Sequence, residues 1–245
     1  MKKERIDKLL HEQGFADSLI KAKALVMSGV VLADEKRIEK ASELFTPEVQ
    51  IRIKGESDES RYVSRGGLKL EKALSEFNIC IDTYVCLDIG SSTGGFTDCL
   101  LRSGAKKVTA IDAGTNQIVW RLRNDPRVEV RENTNARHLT ANDFDENFDL
   151  AVIDVSFISL KKIIPVIISL LKESGRMIAL IKPQFEVGKG EVGKGGIVRE
   201  TEKHERIISE INECAIKCGL RVSGVIESPI LGAGGNKEFL ALYER

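Results

Sequence analysis

The sequence predicts an α/β protein: a mostly parallel sheet with helices on both faces and an antiparallel C-terminal hairpin, preceded by a small α+β domain. Three observations support this fold class. Short apolar runs alternate with helical stretches from residue 84 onward, the last two runs are joined by a glycine-rich turn alone, and the first 55 residues follow a different pattern. Strands that alternate with helices favour a parallel sheet, whereas a short turn joins two strands antiparallel.

The first part of the chain, residues 1–60, predicts a small domain of two helices and short strands. Apolar residues recur at helical spacing over 4–14 and 17–28, and short alternating runs follow. The polar stretch GESDES, 55–60, predicts the domain boundary. Residues 61–82 predict a linker and a leading helix, with a run of basic residues that suits either a solvated linker or a contact with nucleic acid.

The second part, residues 83–245, predicts the sheet. Its apolar runs YVCLDI, KVTAID, VEVRE, FDLAVIDV and RMIALIKP are strand-like, and helices are expected near 95–103, 115–123, 159–172 and 201–218. The closing runs RVSGVIESPI and KEFLALYER, joined by LGAGGN, predict the hairpin.

Composition and charge exclude several classes of protein. The formal net charge is zero, and no apolar run approaches the roughly 20 residues of a membrane span. The charged N-terminal segment lacks the apolar stretch of a secretory signal, so a cytoplasmic protein is expected. Five cysteines without a C-x-x-C pair argue against a disulfide framework or a zinc site.

A glycine-rich turn, LDIGSSTGGFTDCLL over 87–101, follows the first predicted strand. Its glycines do not fit the G-x-G-x-x-G pattern of dinucleotide sites. Asp88 at the strand end would repel a diphosphate, but suits the ammonium and sulfonium groups of S-adenosylmethionine. Asp112, at the next strand end, is placed to accept the hydroxyls of an adenosine ribose. The turn therefore favours S-adenosylmethionine; the alternative is that both acids only cap the following turns.

A second glycine-rich stretch, GKGEVGKG over 188–195, fits the beginning of a phosphate-binding P-loop. Gly195 stands where that motif needs Ser or Thr to hold magnesium, and no helix pattern follows. We interpret this stretch as a basic loop over the site, in which Lys189 and Lys194 are candidates for phosphate contacts.

Four charged residues are expected to meet at the carboxyl edge of the sheet. Asp154 and Lys182 each end a predicted strand, Glu238 opens the last one, and Lys69 lies in SRGGLKL just before the sheet. Active groups of open parallel sheets gather at this edge. The alternative is a set of structural ion pairs.

The motifs SRGGLKL, LDIGSSTGGFTDCLL, DVSFISL, LIKPQFEVG and GNKEFL occur in this order and together resemble the TlyA family, also labelled hemolysin A, over essentially the whole chain. The resemblance implies an S4-like RNA-binding domain followed by an FtsJ-like, Rossmann-type methyltransferase domain. It implies 2′-O-methylation of cytidine in ribosomal RNA with S-adenosylmethionine and no metal. The expected partner is ribosomal RNA or a ribosomal subunit, and no stable membrane association is expected.

The resemblance also implies the roles of individual residues. Lys69, Asp154, Lys182 and Glu238 match the catalytic set of the family. Lys182 is the expected general base and Lys69 the neighbouring like charge, since desolvation and a nearby cation lower the pKa of a lysine while carboxylates raise it. The expected cofactor residues are Asp88, Gly90, Ser91, Gly94, Gly95, Phe96, Asp112 and Asn135. The expected RNA-binding residues are Lys21, Lys23, Arg61, Arg65, Lys189 and Lys194.

Two other functions compete with methyl transfer. A membrane-active hemolysin would need an amphipathic or apolar element able to enter a bilayer, and the sequence shows none. An RNA-binding regulator with an inactive methyltransferase fold is disfavoured because the four-residue catalytic set is intact.

Overall fold

The computed structural model describes residues 3–13, 15–16, 18–34, 36–53, 61–188 and 190–245. The chain divides into two compact units, Met1–Arg61 and Tyr62–Arg245. The predicted boundary segment 55–60 lies outside the described residues. In the part of the chain that is described, no helix has the length and apolar character needed to cross a membrane.

The first unit combines two helices with short strands in its described part. The elements are α1 (Ile6–Glu12), α2 (Leu19–Met27), β1 (Glu4–Arg5), β2 (Val31–Ala33), β3 (Lys36–Arg37), β4 (Leu44–Phe45) and β5 (Ile51–Ile53). Strand β2 pairs antiparallel with β3 and β5, and β1 with β4. Residues at helical spacing, among them Ile6, Leu10, Ala22 and Val26, form the core. The α+β character matches the sequence pattern, and the S4-like identity stays a prediction.

Seven strands in the described part of the second unit form one sheet. They are β6 (Val85–Ile89), β7 (Lys107–Ile111), β8 (Val128–Arg131), β9 (Phe148–Ile153), β10 (Leu171–Ile181), β11 (Arg221–Glu227) and β12 (Phe239–Glu244). Their order is β11-β12-β10-β9-β6-β7-β8. The last five strands of this order, β10, β9, β6, β7 and β8, run parallel to one another. Strand β12 is antiparallel to both β10 and β11. The predicted mostly parallel sheet with an antiparallel hairpin is confirmed.

Helices cover both faces of this sheet. They are α3 (Gly66–Glu76), α4 (Gly95–Arg102), α5 (Trp120–Arg123), α6 (Ile164–Ile168), α7 (Pro183–Glu186) and α8 (Thr201–Lys217). Successive strand residues point to opposite faces, so Val85 and Leu87 join one hydrophobic cluster and Cys86 joins the other. The first cluster includes Ile207 and Ile211 of α8, while the second includes residues of α3 and α4.

Two predicted helices are shorter than the sequence pattern suggested. The helix expected near 115–123 begins only at Trp120, because the backbone N–H groups of residues 116–118 donate to the Glu132 carboxylate instead. The helix expected near 159–172 is reduced to a 3-10 turn and α6, with β10 beginning at Leu171. Pro165 lacks an N–H group and so cannot continue a helix from the preceding turn.

Candidate active site

The carboxyl ends of the parallel strands meet at one edge of the sheet, where the predicted charged residues lie. Asp154 follows β9 and Lys182 follows β10. Strand β12 begins at the same edge because it runs antiparallel, and its register pairs Phe239 with Ile181. Glu238, which precedes Phe239, therefore lies at this edge of the sheet beside Lys182, which follows Ile181.

The four charged residues form two ion pairs. Lys182 Nζ lies 2.5 Å from Asp154 Oδ1, and Lys69 Nζ lies 2.5 Å from Glu238 Oε2. All four side chains are at most about one-fifth exposed, and that of Glu238 is 2% exposed. Burying a lone charge is costly, so each lysine at this edge is stabilised by its carboxylate.

One cleft contacts both ion pairs, and we call it the Lys69 cleft. It has a volume of about 440 Å³. Its walls are formed by Ser64, Arg65, Gly66, Lys69, Gly90, Ser91, Ser92, Gly95, Phe96, Asp154, Ile230, Leu231 and Gly232. Lys69 and Asp154 thus face the same space, each backed by its partner.

Local packing fixes Lys69 and Glu238. Lys69 lies on α3, whose buried residues Leu70 and Ala73 anchor the helix in the second unit. Gly232 lies directly against the Glu238 carboxylate, because a Cβ at this position would come within 1.9 Å of Glu238 Oε1. A side chain at 232 would therefore displace one member of the Lys69–Glu238 pair.

The glycine-rich turn forms a wall of the Lys69 cleft. Gly90 has a left-handed backbone (φ +83°), and a Cβ there would lie 2.3 Å from the carbonyl oxygen of Asp154. Only glycine permits this approach of β6 to the residue that follows β9. Ser91 is buried, and its hydroxyl has no hydrogen-bond partner within the described residues. This hydroxyl is available to a ligand.

Asp88 and Gly94 belong to the same turn but are not among the residues that line the Lys69 cleft. The Asp88 carboxylate is fully buried and accepts a hydrogen bond from Thr97 Oγ1 at 2.6 Å. Burial raises the pKa of the Asp88 carboxyl to about 7, and the hydrogen bond from Thr97 opposes this rise. Gly94 (φ +101°) precedes the first residue of α4. Asp88 thus bonds to α4 through Thr97, and Gly94 forms the start of α4, so both connect the turn to this helix.

A second cleft, which we call the Asp112 cleft, adjoins the first. Gly90, Ser92 and Asp154 line both. The second cleft has a volume of about 490 Å³, and its further lining includes Ile89, Ile111, Asp112, Ala113, Gly114, Gln117, Thr134, Asn135, Ala136, Arg137, Val155, Ser156, Phe157, Ile158 and Ile163.

Backbone groups hold the Asp112 carboxylate in this cleft. Its Oδ2 accepts from Ser92 N at 2.8 Å and its Oδ1 accepts from Gly114 N at 2.7 Å. The carboxylate therefore has a fixed orientation in which remaining lone pairs stay available to a bound diol. Asn135 lines the same cleft, and its Oδ1 accepts from Arg137 N at 3.1 Å.

The predicted RNA-binding residues are spread over both units. Lys21 and Lys23 are exposed on α2, and Arg61 is exposed at the end of the first unit. In the second unit Arg65 is exposed at the Lys69 cleft and Lys194 is exposed in a 3-10 turn. Lys189 lies outside the described residues.

Three further residues shape the site although sequence reasoning did not select them. Ser156 Oγ accepts from Lys182 Nζ at 3.1 Å, and Ser64 lines the Lys69 cleft. Glu132 binds Arg123 and three backbone N–H groups, which lower the pKa of its carboxyl to about 2. Ser64 and Ser156 lie inside the quoted motifs, and Glu132 is the acid that ends the predicted strand VEVRE; both signals were present in the sequence.

The sheet order, with antiparallel β12 between β10 and β11, is that of the Rossmann-type fold of methyltransferases. The structure of a Listeria monocytogenes protein described as an S-adenosylmethionine-dependent methyltransferase has the same fold, with a TM-score of 0.55 and 16% identity over 74% of this chain and 98% of that chain. Residues 62–245 match the model of the FtsJ-like methyltransferase family. The chain belongs to this family.

Its relatives carry two kinds of name. YqxC of Bacillus subtilis, named as an rRNA methyltransferase, is 48% identical over 98% of this chain and 85% of its own. The Mycobacterium tuberculosis 16S/23S rRNA (cytidine-2′-O)-methyltransferase TlyA is 40% identical over 97% of this chain and 88% of its own. A Streptococcus thermophilus structure described as a hemolysin has 46% identity and a TM-score of 0.76, covering 100% of this chain and 89% of that chain.

The raised pKa of Asp88 predicts a pH-dependent stability. Below about pH 4 both the folded and the unfolded carboxyl are protonated, and as the pH rises towards 7 only the folded one keeps its proton. The free energy of unfolding therefore falls with pH. Relative to Asp88→Asn, the wild type should lose about 2 kcal/mol between pH 5 and pH 7: the slope is about 1.4 kcal/mol per pH unit near pH 5 and flattens as the pH approaches the pKa of the folded carboxyl. Urea denaturation of both cofactor-free proteins across this range measures the difference, and a difference that stays constant with pH would contradict the assignment.

Proposed function

We propose that the protein transfers a methyl group from S-adenosylmethionine to the 2′-hydroxyl of a cytidine ribose in ribosomal RNA. The observation that carries this function is the pair of buried lysine–carboxylate contacts on one cleft, next to a second cleft with a fixed acidic group. Membership of the FtsJ-like family and the named activity of the Mycobacterium tuberculosis relative support the same reaction.

The residues present fit the cofactor. The free hydroxyl of Ser91 suits the polar methionine end, together with Gly90, Gly95 and Phe96 of the Lys69 cleft. Asp112 would hold the ribose hydroxyls, and Asn135 would lie at the adenine rim. Asp88 and Gly94 would keep the turn in shape rather than bind. When bound, S-adenosylmethionine supplies an electrophilic methyl group on its sulfonium.

Lys182 is the proposed general base. Its amine is held by Asp154, which lines both clefts, and by Ser156, which lines the Asp112 cleft; Lys182 itself is not among the described residues that line either cleft. The Asp154 carboxylate, 2.5 Å away, would orient this amine, which in its neutral form takes the proton of the 2′-hydroxyl as the oxygen attacks the methyl group. A positioned base contributes about 10²–10⁴ in rate.

The Lys69–Glu238 pair is proposed to orient the ribose. Lys69 lines the Lys69 cleft and donates one hydrogen bond to Glu238, which leaves ammonium protons that would donate to the substrate. Holding a hydroxyl in line with its reaction partner supplies a large part of the rate in two-substrate reactions. No metal is proposed in this mechanism.

We further propose that both units contact RNA. Lys21, Lys23 and Arg61 of an S4-like first unit, and Arg65, Lys194 and Lys189 of the second part, would bind phosphates. Such contacts give affinity that falls with salt and little sequence choice. The expected substrate is ribosomal RNA, alone or within a subunit, and the expected location is the cytoplasm.

Removal of the proposed base should abolish most of the activity. Lys182→Ala leaves no amine to take the hydroxyl proton, and methyl transfer should fall by about 10²–10⁴. The assay measures label from radioactive S-adenosylmethionine in free ribosomal RNA and in separated subunits. Lys217→Ala, an exposed lysine of α8, is the matched control and should keep the wild-type rate. Equal rates for both variants would remove Lys182 from the mechanism, and an inactive wild type would refute the function.

Loss of the Asp112 carboxylate should weaken cofactor binding. Hydrogen bonds to a charged group contribute about 1.5–3 kcal/mol, so Asp112→Ala should raise the dissociation constant for S-adenosylmethionine about 10- to 100-fold. Isothermal titration calorimetry measures this constant without any RNA. An unchanged constant would show that the ribose binds elsewhere.

A further inference from the structure

The backbone between Asp154 and Leu160, which we call the 154–160 segment, connects the two clefts. It carries Asp154 and forms part of the wall of the Asp112 cleft. Its start is fixed to the sheet, because Asp154 N donates to Ile89 O at 2.9 Å. In its middle, Phe157 is 91% exposed and has a left-handed backbone (φ +62°). A bulky residue keeps such a conformation only where surrounding contacts hold the backbone.

Glu186 holds the other end of this segment. Its Oε2 accepts from Ser159 Oγ at 2.6 Å, and its Oε1 accepts from Leu160 N at 2.7 Å. Burial raises the pKa of the Glu186 carboxyl, while these two hydrogen bonds oppose the rise. A carboxylate that binds a backbone N–H and a neighbouring hydroxyl fixes both the direction and the position of the chain at that point.

Glu186 and the proposed base lie at opposite ends of the same short helix. Helix α7 begins at Pro183, directly after Lys182, and ends at Glu186. Lys182 binds Asp154 and Ser156 near the start of the segment, and Glu186 binds its end. Between them, the Phe185 ring lies 4.9 Å from that of Phe157. The helix and the segment are thus joined at both ends.

We propose that Glu186 is a positioning residue for the methyl transfer reaction: by binding Ser159 and Leu160 it fixes the 154–160 segment against α7 and keeps Asp154 in register with Lys182. This role rests on the proposed function. Both carboxylate oxygens of Glu186 are engaged by Ser159 and Leu160, so it acts through the segment and not on the substrate.

Steady-state kinetics with ribosomal RNA at saturating S-adenosylmethionine tests the role. Glu186→Ala removes both hydrogen bonds and should lower kcat about 10- to 100-fold, since small displacements of reacting groups have effects of this size. The KM for RNA should stay within about threefold, because Glu186 does not reach the substrate. Glu186→Gln should recover kcat to within about threefold, since an amide can accept from Leu160 N and donate to Ser159 Oγ.

A matched control lies beside the same segment. Glu210 of α8 pairs with Lys161 at 2.5 Å, just after the segment ends. Glu210→Ala removes a neighbouring carboxylate without touching the 154–160 segment, and kcat should stay at the wild-type value. Hydrogen exchange reports the cause directly: amides of residues 155–160 should exchange faster in Glu186→Ala and at the wild-type rate in Glu210→Ala.

If Glu186→Ala fails to fold, Ser159→Ala removes one of the two hydrogen bonds and should lower kcat by a smaller factor. A wild-type kcat for the variant that folds, a loss confined to KM, or a Glu186→Gln as slow as Glu186→Ala would overturn the role. An inactive wild type instead overturns the proposed function itself, and is distinguished because no variant then has a rate to lose.

Discussion

The pairing of two buried lysines with two carboxylates is the constraint on which the site depends. An unpaired charge at this depth would be destabilising by several kcal/mol, so Lys69 and Lys182 can occupy the sheet edge only beside Glu238 and Asp154. The pairs in turn fix the elements that carry them. Strand β12 must enter at the edge where β10 ends, and α3 must lie against the turn after β6. The charges that would act on a substrate thus also hold the cleft together.

Close approach at two glycines makes this pairing possible. Gly90 lets the end of β6 lie against the backbone of Asp154, and Gly232 leaves room for the Glu238 carboxylate. The glycine-rich turn would conventionally be explained by its ligand. In this protein its first glycine is equally required by packing, because any Cβ there would push Asp154 away from Lys182. Cofactor site and catalytic pair are therefore built from the same backbone contact.

The sequence predicted those parts of the molecule that follow from local pattern. Apolar runs separated by helical stretches gave the parallel sheet, and a glycine-rich connection gave the hairpin. Polar residues at strand ends gave Asp112, Asp154 and Lys182, since strand ends share one edge. Glu238, which opens the last strand, and Lys69, which lies just before the sheet, were expected at the same edge, and the resemblance to the TlyA family added their catalytic roles.

Other features depend on the tertiary structure and could not be predicted in this way. Asp88 matches the motif, but its carboxylate is directed into the interior towards Thr97, and direction is set by the packing of α4. Residues 116–118 have a helical pattern, yet their N–H groups bind Glu132 from another strand end. A hairpin sequence also does not determine which of its two strands pairs with the parallel sheet; here β12 pairs with β10, and β11 forms the outer strand.

The charged cleft is proposed to act on a ribose oxygen of RNA. The most direct measurement is nucleoside mass spectrometry of ribosomal RNA after incubation with the protein and S-adenosylmethionine that carries a deuterated methyl group. The two ion pairs and their shared cleft predict that the heavy methyl group appears on a ribose of the RNA. A heavy methyl group on a base, or none in the RNA, would contradict the account.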